Sequence, residues 1–253
     1  MNFRRMHKII RNAPSLLMGY NIYVDTDKLK LIDEIFRVAQ PVPRSFADLG
    51  GVWKVNGAYS LYTLRKKSIE QGVLIDTDFP PGLEEKLLIH SRLRLIKGDF
   101  ANLNVFSRLG KVDVIFLFDV LLHQANPSWN TVLSAYGEVA QSIAIFNQQY
   151  VLGDNSVRLT SLSLKDYIAI APRGREELYR YVYAHGDEIH PTYNKPWRDI
   201  HNIFQWGITD KDIRTQMKSL GFREVYFKNC GKFSNLPAFE NHAFIFVRDS
   251  ERV

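Results

Sequence analysis

Between residues 46 and 150 short apolar runs alternate with amphipathic segments, and that alternation restricts the chain to very few architectures. "FADL", "VLID", "LRLIKGDF", "VDVIFLFDVLL" and "SIAIFNQQYV" are near-continuous apolar runs of strand length. Between them, "YSLYTLRKKSI", "GLEEKLLIH" and "SWNTVLSAYGEVA" (opening on Ser128) carry apolar residues at helical spacing. Strands without polar alternation are buried on both faces, and parallel strands need crossover helices to join them. The pattern predicts an α/β fold, a doubly wound and mostly parallel sheet. "EVYFKNC" and "HAFIFVRD" bring the count to seven strands, and the long turn between them predicts that the last runs antiparallel.

Two regions stand outside the alternation. Residues 1–44 read as an N-terminal helical segment, ahead of one domain over 45–253. In the first, Phe3, Met6 and Ile10 fall at helical spacing, with Arg4, Arg5, Lys8 and Arg11 on other faces. That describes a short surface helix with a solvated basic side; it lacks the apolar core and cleavage site of a signal peptide. "KLKLIDEIFRVAQ" then places Leu29, Ile32, Phe36 and Ala39 on one stripe, which "PVP" ends. The second region is an insertion after the fifth strand, at about 155–207. "SLKDYIAIA" and "REELYRYVYAHG" read as helices, followed by the aromatic loop "HPTYNKPWRDIHNIFQW". A segment of that length inside an α/β domain is expected to be a lid or a substrate-binding element. The sheet pattern resumes with a helix capped by Thr209 and Asp212, stapled by Ile208 and Ile213 and stopped at Gly221.

The chemistry concentrates at strand ends. "DLGGVWKVNG" stops the first strand on Asp48 and turns through Gly50 and Gly51, with Gly57 six residues on. A triphosphate site would need Gly-Lys-Ser/Thr, and Gly57 is followed by Ala58 and Tyr59. A nicotinamide dinucleotide site would need Gly-x-Gly-x-x-Gly, and Asp48 would face its pyrophosphate with the wrong sign. S-adenosylmethionine carries an ammonium and a sulfonium and no phosphate, so an acid beside the turn attracts it.

From this motif to Cys230, and through the final strand, the chain resembles the class I (Rossmann-like) S-adenosylmethionine-dependent methyltransferases. Their first motif, acid-x-Gly-x-Gly-x-Gly, is matched at Asp48, Gly50 and Gly51; Val52 replaces the middle glycine and the spacing to the last is stretched. The resemblance implies that an acid closing the second strand binds the ribose hydroxyls. "VLIDTDF" offers Asp76, which directly follows the apolar run, and then Asp78. In "IKGDF" it gives Asp99 the adenine amino group and lets Phe100 pack on the ring. In "VDVIFLFDVLLHQANP" it sets the stretch from Asp119 to His123 beside cofactor and acceptor. S-adenosyl-L-methionine is thus the expected cofactor.

Methyl transfer needs alignment above all, and a base only where the acceptor is a hydroxyl. His123 is the candidate base, with His190 and His201 less constrained; Asp187 and Glu188 read as a solvated turn. Tyr193, Trp197 and Trp206, on a loop that carries Pro191 and Pro196, are candidate acceptor contacts, whereas several other aromatics of the insertion are expected in the core. The expected acceptor is a small or mid-sized molecule: a sugar, a nucleotide-sugar or a natural-product intermediate. The net charge of +6 keeps an RNA acceptor open, although the basic residues are dispersed and no Asn-Pro-Pro-Tyr motif is present. The altered glycine motif also keeps open a non-catalytic, cofactor- or partner-binding member of the fold. No metal is expected, because no His/Cys/Asp cluster has ligand spacing. The single cysteine and the lack of a long apolar run point to a reducing, cytoplasmic setting without a membrane span. A homodimer is compatible with the same sequence.

Overall fold

The computed structural model describes residues 23–233 and 236–249. The basic N-terminal stretch with Phe3, Met6 and Ile10 lies outside them. Seven strands are hydrogen-bonded in one sheet, and the chain divides into two compact units, one running to Phe118 with Val139–Ala144, the other covering Asp119–Glu138 and the chain from Ile145 on.

The first unit opens on helix α1, Thr26–Val38, capped by the Asp25 carboxylate accepting from Asp27 N–H. Its buried stripe is Lys28, Leu31, Ile32, Ile35 and then Ala39, whereas Leu29 and Phe36 are only half-buried. The helix is therefore rotated from the expected stripe: Leu31 and Ile35 satisfy the same 3.6-residue period one position away, and only Ile32 and Ala39 belong to both. Strands β1 (Ser45–Leu49), β2 (Gln71–Asp76), β3 (Leu93–Lys97) and β4 (Val112–Phe118) follow, joined through helices α2 (Ala58–Thr63), α3 (Leu83–Leu88) and α4 (Leu103–Phe106). All pair in parallel, in the order β3-β2-β1-β4, with Asp48 opposite Leu74 and Phe116, and Asp76 opposite Lys97. The order reverses at β1, whose neighbours are β2 and β4. In open α/β sheets the ligand crevice lies outside the carboxyl ends of the strands at such a reversal. β4 ends at Phe118 rather than continuing through Leu122, because Asp119 takes a left-handed φ of 59° that no strand accommodates. Residues 121–123 then form a single 3-10 turn.

Helix α5 (Trp129–Val139) leads into β5 (Ala140–Tyr150), whose first half belongs to the first unit and second half to the second. In the second unit, β6 (Val157–Arg158) pairs antiparallel with β7 (Trp206–Gly207), drawing the two ends of the insertion together. A Cβ on Gly207 would fall 2.8 Å from Tyr150 Cγ, so glycine is what allows this base to seat on β5. Helices α6 (Leu164–Ile170) and α7 (Glu176–Ala184) fill the insertion. Their core is aromatic: Tyr167 and Tyr179 are buried edge to face at 5.0 Å, their hydroxyls donating to Phe204 O and Pro172 O. Helix α8 (Asp210–Ser219) starts as its sequence predicts, with the Thr209 side chain accepting from Asp212 N–H and Ile208 and Ile213 both fully buried. Strands β8 (Phe222–Lys232) and β9 (Phe239–Arg248) close the sheet as an antiparallel pair, in the order β5-β9-β8.

Candidate functional site

In the first unit the turn after β1 is built around one buried carboxylate. Gly50 takes φ 74° and its N–H donates to Ile75 O at 2.8 Å, tying the turn to β2. The chain then passes over Asp48. A Cβ on Gly51 would lie 2.4 Å from Asp48 Oδ2 and 2.5 Å from its Cγ, so the carboxylate fills the space a side chain would need. Asp48 is 1% exposed and accepts a 2.7 Å hydrogen bond from the Ser60 hydroxyl of α2. Burial pushes its pKa from 3.8 up to about 6; the Ser60 bond opposes this, the charge of Asp76 adds to it and Lys28 opposes it.

The stretched spacing between Gly51 and Gly57 is a compact coil. Val55 and Asn56 N–H both donate to Val52 O, and Gly57 N–H donates to Gly51 O at 2.9 Å. Lys54, Asn56 and Gly57 all have positive φ, between 50° and 73°, which is how six residues return to where they began. Val52, standing where the family pattern has glycine, is buried and gives its N–H to Asp76 Oδ2 at 2.8 Å. Trp53 projects from the coil at 75% exposure with the Lys54 ammonium 4.6 Å from its ring centroid. Nothing in the sequence pattern singled it out.

Asp76 closes β2. Its Oδ2 holds the coil, while Oδ1 has only long contacts, to the Thr77 hydroxyl at 3.4 Å and Asp78 N–H at 3.5 Å. Burial raises its pKa as well. Asp78 is exposed and pairs with Lys97 at 3.5 Å. Asp99 follows β3 half-buried and accepts from Ala101 N–H at 2.9 Å; Phe100 beside it is buried. Asp48, Asp76, Asp99 and the glycine coil therefore share the carboxyl edge of three adjacent strands.

In the second unit Asp119 donates its N–H to Phe146 O at 2.7 Å, and its carboxylate accepts from Gln148 Nε2 at 2.6 Å. His123 Nδ1 lies 2.7 Å from Ile203 O. A carbonyl only accepts, so Nδ1 carries the hydrogen and Nε2 is left as the ring's acceptor. Burial lowers the His123 pKa from 6.5; the bond to Ile203 and the charge of Asp119 oppose that. His201 accepts at Nε2 from Lys195 at 2.7 Å and bonds His123 O through Nδ1 at 3.2 Å.

The three aromatic candidates of the insertion separate. Tyr193 and Trp197 flank His190, at 4.4 and 4.2 Å between ring centroids, and Trp197 packs on Tyr181. Tyr193 is 48% exposed. Trp206 is held elsewhere, its indole N–H donating to Gln124 O at 2.7 Å and its face covered by Arg158. Asp187 pairs with Arg198, and Glu188 with His185. What the sequence reading passed over is a set of buried amides, Gln124, Asn147, Gln149 and Gln205, holding five polar atoms without a hydrogen-bond partner. Each such group costs about 1–3 kcal/mol if it stays unsatisfied. Among the described residues, no group of His, Cys, Asp and Glu is placed to hold a metal ion, and no helix is long and apolar enough to cross a membrane.

No protein-family model matches the sequence, and no curated protein sequence matches it. Solved structures do. The N-terminal domain of EvdMO1 with SAH bound superposes with a TM-score of 0.55 at 15% identity, over 94% of this chain and 85% of that one. The same domain in the presence of SAH and D-fucose gives 0.52 at 16%, over 88% and 82%. The 1,6-didemethyltoxoflavin-N1-methyltransferase of Burkholderia thailandensis, bound to 1,6-didemethyltoxoflavin and S-adenosylhomocysteine, gives 0.52 at 11%, over 89% and 80%. The likeness establishes the fold, which is that of the class I S-adenosylmethionine-dependent methyltransferases.

The elevated Asp48 pKa makes a stability prediction. A carboxyl that holds its proton more tightly when folded than when unfolded costs stability as pH rises between the two values. Asp48 should thus remove up to about 3 kcal/mol between roughly pH 4 and 6, with little further change above. Urea unfolding of the wild-type chain and of Asp48→Asn across this range should show the difference between them growing toward pH 6.5. Parallel stability curves would contradict the assignment.

Proposed function

We propose that this chain is an S-adenosylmethionine-dependent methyltransferase acting on a small or mid-sized acceptor of the sugar, nucleotide-sugar or natural-product type. One observation carries the reading: Asp48 and Asp76 hold the glycine coil, and Asp99 follows the adjacent strand β3, all at the carboxyl edge where the order of a class I methyltransferase sheet reverses. The residues present fit such a cofactor. Gly51 keeps the coil thin over Asp48, and Asp76 retains an oxygen, Oδ1, with only long contacts at 3.4 and 3.5 Å. We assign Asp76 to the ribose hydroxyls, Asp99 and Phe100 to the adenine, and the backbone of Gly50 and Gly51 to the methionine part. Asp48 acts through the coil that it supports. The binding of SAH by two of the structural neighbours supports the same reading.

When bound, the cofactor supplies a methyl group activated by its sulfonium. The chain's own part is to bind, to orient and, for a hydroxyl acceptor, to take up a proton. His123 suits the last role: the hydrogen bond to Ile203 fixes its tautomer and burial keeps the ring neutral near pH 7, leaving Nε2 as the base. Tyr193 and Trp197 are assigned to acceptor contact and Trp206 to positioning of Gln124. D-fucose in one neighbour's crystals favours a sugar within the acceptor classes named above. The buried single cysteine suits a cytoplasmic protein.

Calorimetric titration with S-adenosylhomocysteine should show binding that Asp76→Ala weakens at least tenfold, through loss of charge-assisted hydrogen bonds. Asp78→Ala should change it less than twofold. A larger effect at Asp78 would move the ribose contact there, and no effect at either would overturn the site. Nitrogen-15 correlation spectra of the histidine rings should show the Nδ1–H tautomer at His123 and a pKa below 6.5. The Nε2–H tautomer, or a pKa above 6.5, would remove His123 as the base.

A further inference from the structure

The coil after β1 carries a lysine where the spacing of the motif calls for glycine. With the acid at residue 48 and a glycine at every second residue, the positions are 50, 52 and 54, which here hold Gly50, Val52 and Lys54. Lys54 takes φ 56°, a left-handed conformation that glycine adopts freely and that a Cβ makes unfavourable. It therefore holds a glycine's conformation without being glycine. Strain of this kind persists where the surrounding structure enforces it, and it concentrates at ligand-binding sites. What lysine adds to glycine at this point is a long side chain with a positive charge.

Lys54 is exposed, and its surroundings are aromatic. The ammonium lies 4.6 Å from the Trp53 ring centroid and 6.0 Å from that of Tyr23. Tyr23 is also tied to the coil through its backbone, its N–H donating to Lys54 O at 2.9 Å. Both rings are open to solvent, at 75% exposure for Trp53 and 47% for Tyr23. Among the described residues no carboxylate pairs with Lys54, whereas Lys30, Lys66 and Lys97 of the same unit each have one. The other lysine whose charge acts on Asp48 is Lys28 of α1, which is 7% exposed with its ammonium 5.5 Å from the Tyr59 ring centroid. Of the two, Lys54 is the one open to solvent.

We propose that Lys54 recognises the carboxylate of the cofactor's methionine part, so that the coil reads the amino-acid end by charge as well as by backbone. This rests on the methyl-transfer reading and on the assignment of the coil to the methionine part. The amino-acid end is a zwitterion. An edge that holds Asp48 and Asp76 favours its ammonium and the neighbouring sulfonium, and disfavours its carboxylate. A single cation on the coil supplies the missing counter-charge. Cation–π attraction to Trp53 and Tyr23 confines the ammonium before any ligand arrives, which reduces the side-chain freedom lost when a carboxylate binds. One lysine beside two acids suits a zwitterion and not a polyanion, so this charge does not turn the site toward a pyrophosphate.

The test is calorimetric titration of the full chain with S-adenosylhomocysteine and with its decarboxylated form, two ligands that differ only in the carboxylate. The chains compared are wild type, Lys54→Met and Lys54→Gly. Methionine keeps the hydrocarbon over the rings and removes the charge, and glycine also relieves the backbone. The preference of the wild type for S-adenosylhomocysteine over the decarboxylated form should fall about fivefold or more in both variants. The decarboxylated form should bind the variants at least as tightly as it binds the wild type. Melting temperature is the second readout, and both variants should melt close to the wild type because no buried contact is removed. An unchanged preference would overturn the proposal. Equal weakening of both ligands would do the same, by making Lys54 a support of the coil. A selective loss in Lys28→Met with none at Lys54 would move the carboxylate to α1 and also overturn it. Failure of the wild type to bind either ligand would overturn the methyl-transfer reading and this assignment with it, a result distinct from binding with an unchanged preference.

Discussion

The Asp48 carboxylate lies in the space that a side chain at Gly51 would fill, and the carboxyl edge of the first unit is arranged around that contact. Because the carboxylate is there, residue 51 is glycine and the chain passes low over the end of β1. Because the chain is low, Val52 N–H reaches Asp76 Oδ2 and fastens the coil to β2. Ser60, at the start of the following helix, hydrogen-bonds the same carboxylate from below. A buried acid with a raised pKa is an unfavourable element for stability alone. Groups of that kind concentrate where a fold serves chemistry, and here the geometry of the coil supplies an independent reason to look there.

The alternation of largely apolar strands with amphipathic helices was enough to read the parallel sheet, because strands buried on both faces lack a regular polar alternation. The strand-end acids were legible for a similar reason: a carboxylate that follows a buried run has few places to go. The misread details have local physical causes. Leu29 and Phe36 satisfied helical spacing as well as Leu31 and Ile35 do, and periodicity alone does not fix which stripe packs. "VDVIFLFDVLL" read as one strand despite the acid in its middle, but Asp119 adopts a left-handed conformation and ends β4 at Phe118. The replacement of a glycine by Val52 looked like damage to a motif. It is accommodated because Lys54 and Asn56 take positive φ, which residue type signals only faintly at asparagine and hardly at all at lysine.

The least legible features were those that depend on several distant residues at once. Gln124, Asn147, Gln149 and Gln205 read singly as polar residues near strand ends, and only the hydrogen-bond accounting shows which of their atoms are left over. The aromatic insertion divides in the same way. Tyr167 and Tyr179 form its core, exposed Tyr193 and half-buried Trp197 flank His190, and Trp206 is bound to the Gln124 backbone. These roles are set by which partners surround each ring. A loop rich in aromatics announces importance without assigning it.

The central claim is that the glycine coil and its three acids recognise S-adenosylmethionine in preference to phosphate-bearing cofactors. The most direct measurement is equilibrium titration of the purified wild-type chain with S-adenosylmethionine, repeated in the presence of excess NAD or ATP. The account predicts saturable binding at one site per chain, undiminished by either competitor, because the carboxylates repel a pyrophosphate and attract an ammonium and a sulfonium. No saturable binding of S-adenosylmethionine, or its displacement by NAD or ATP, would contradict it.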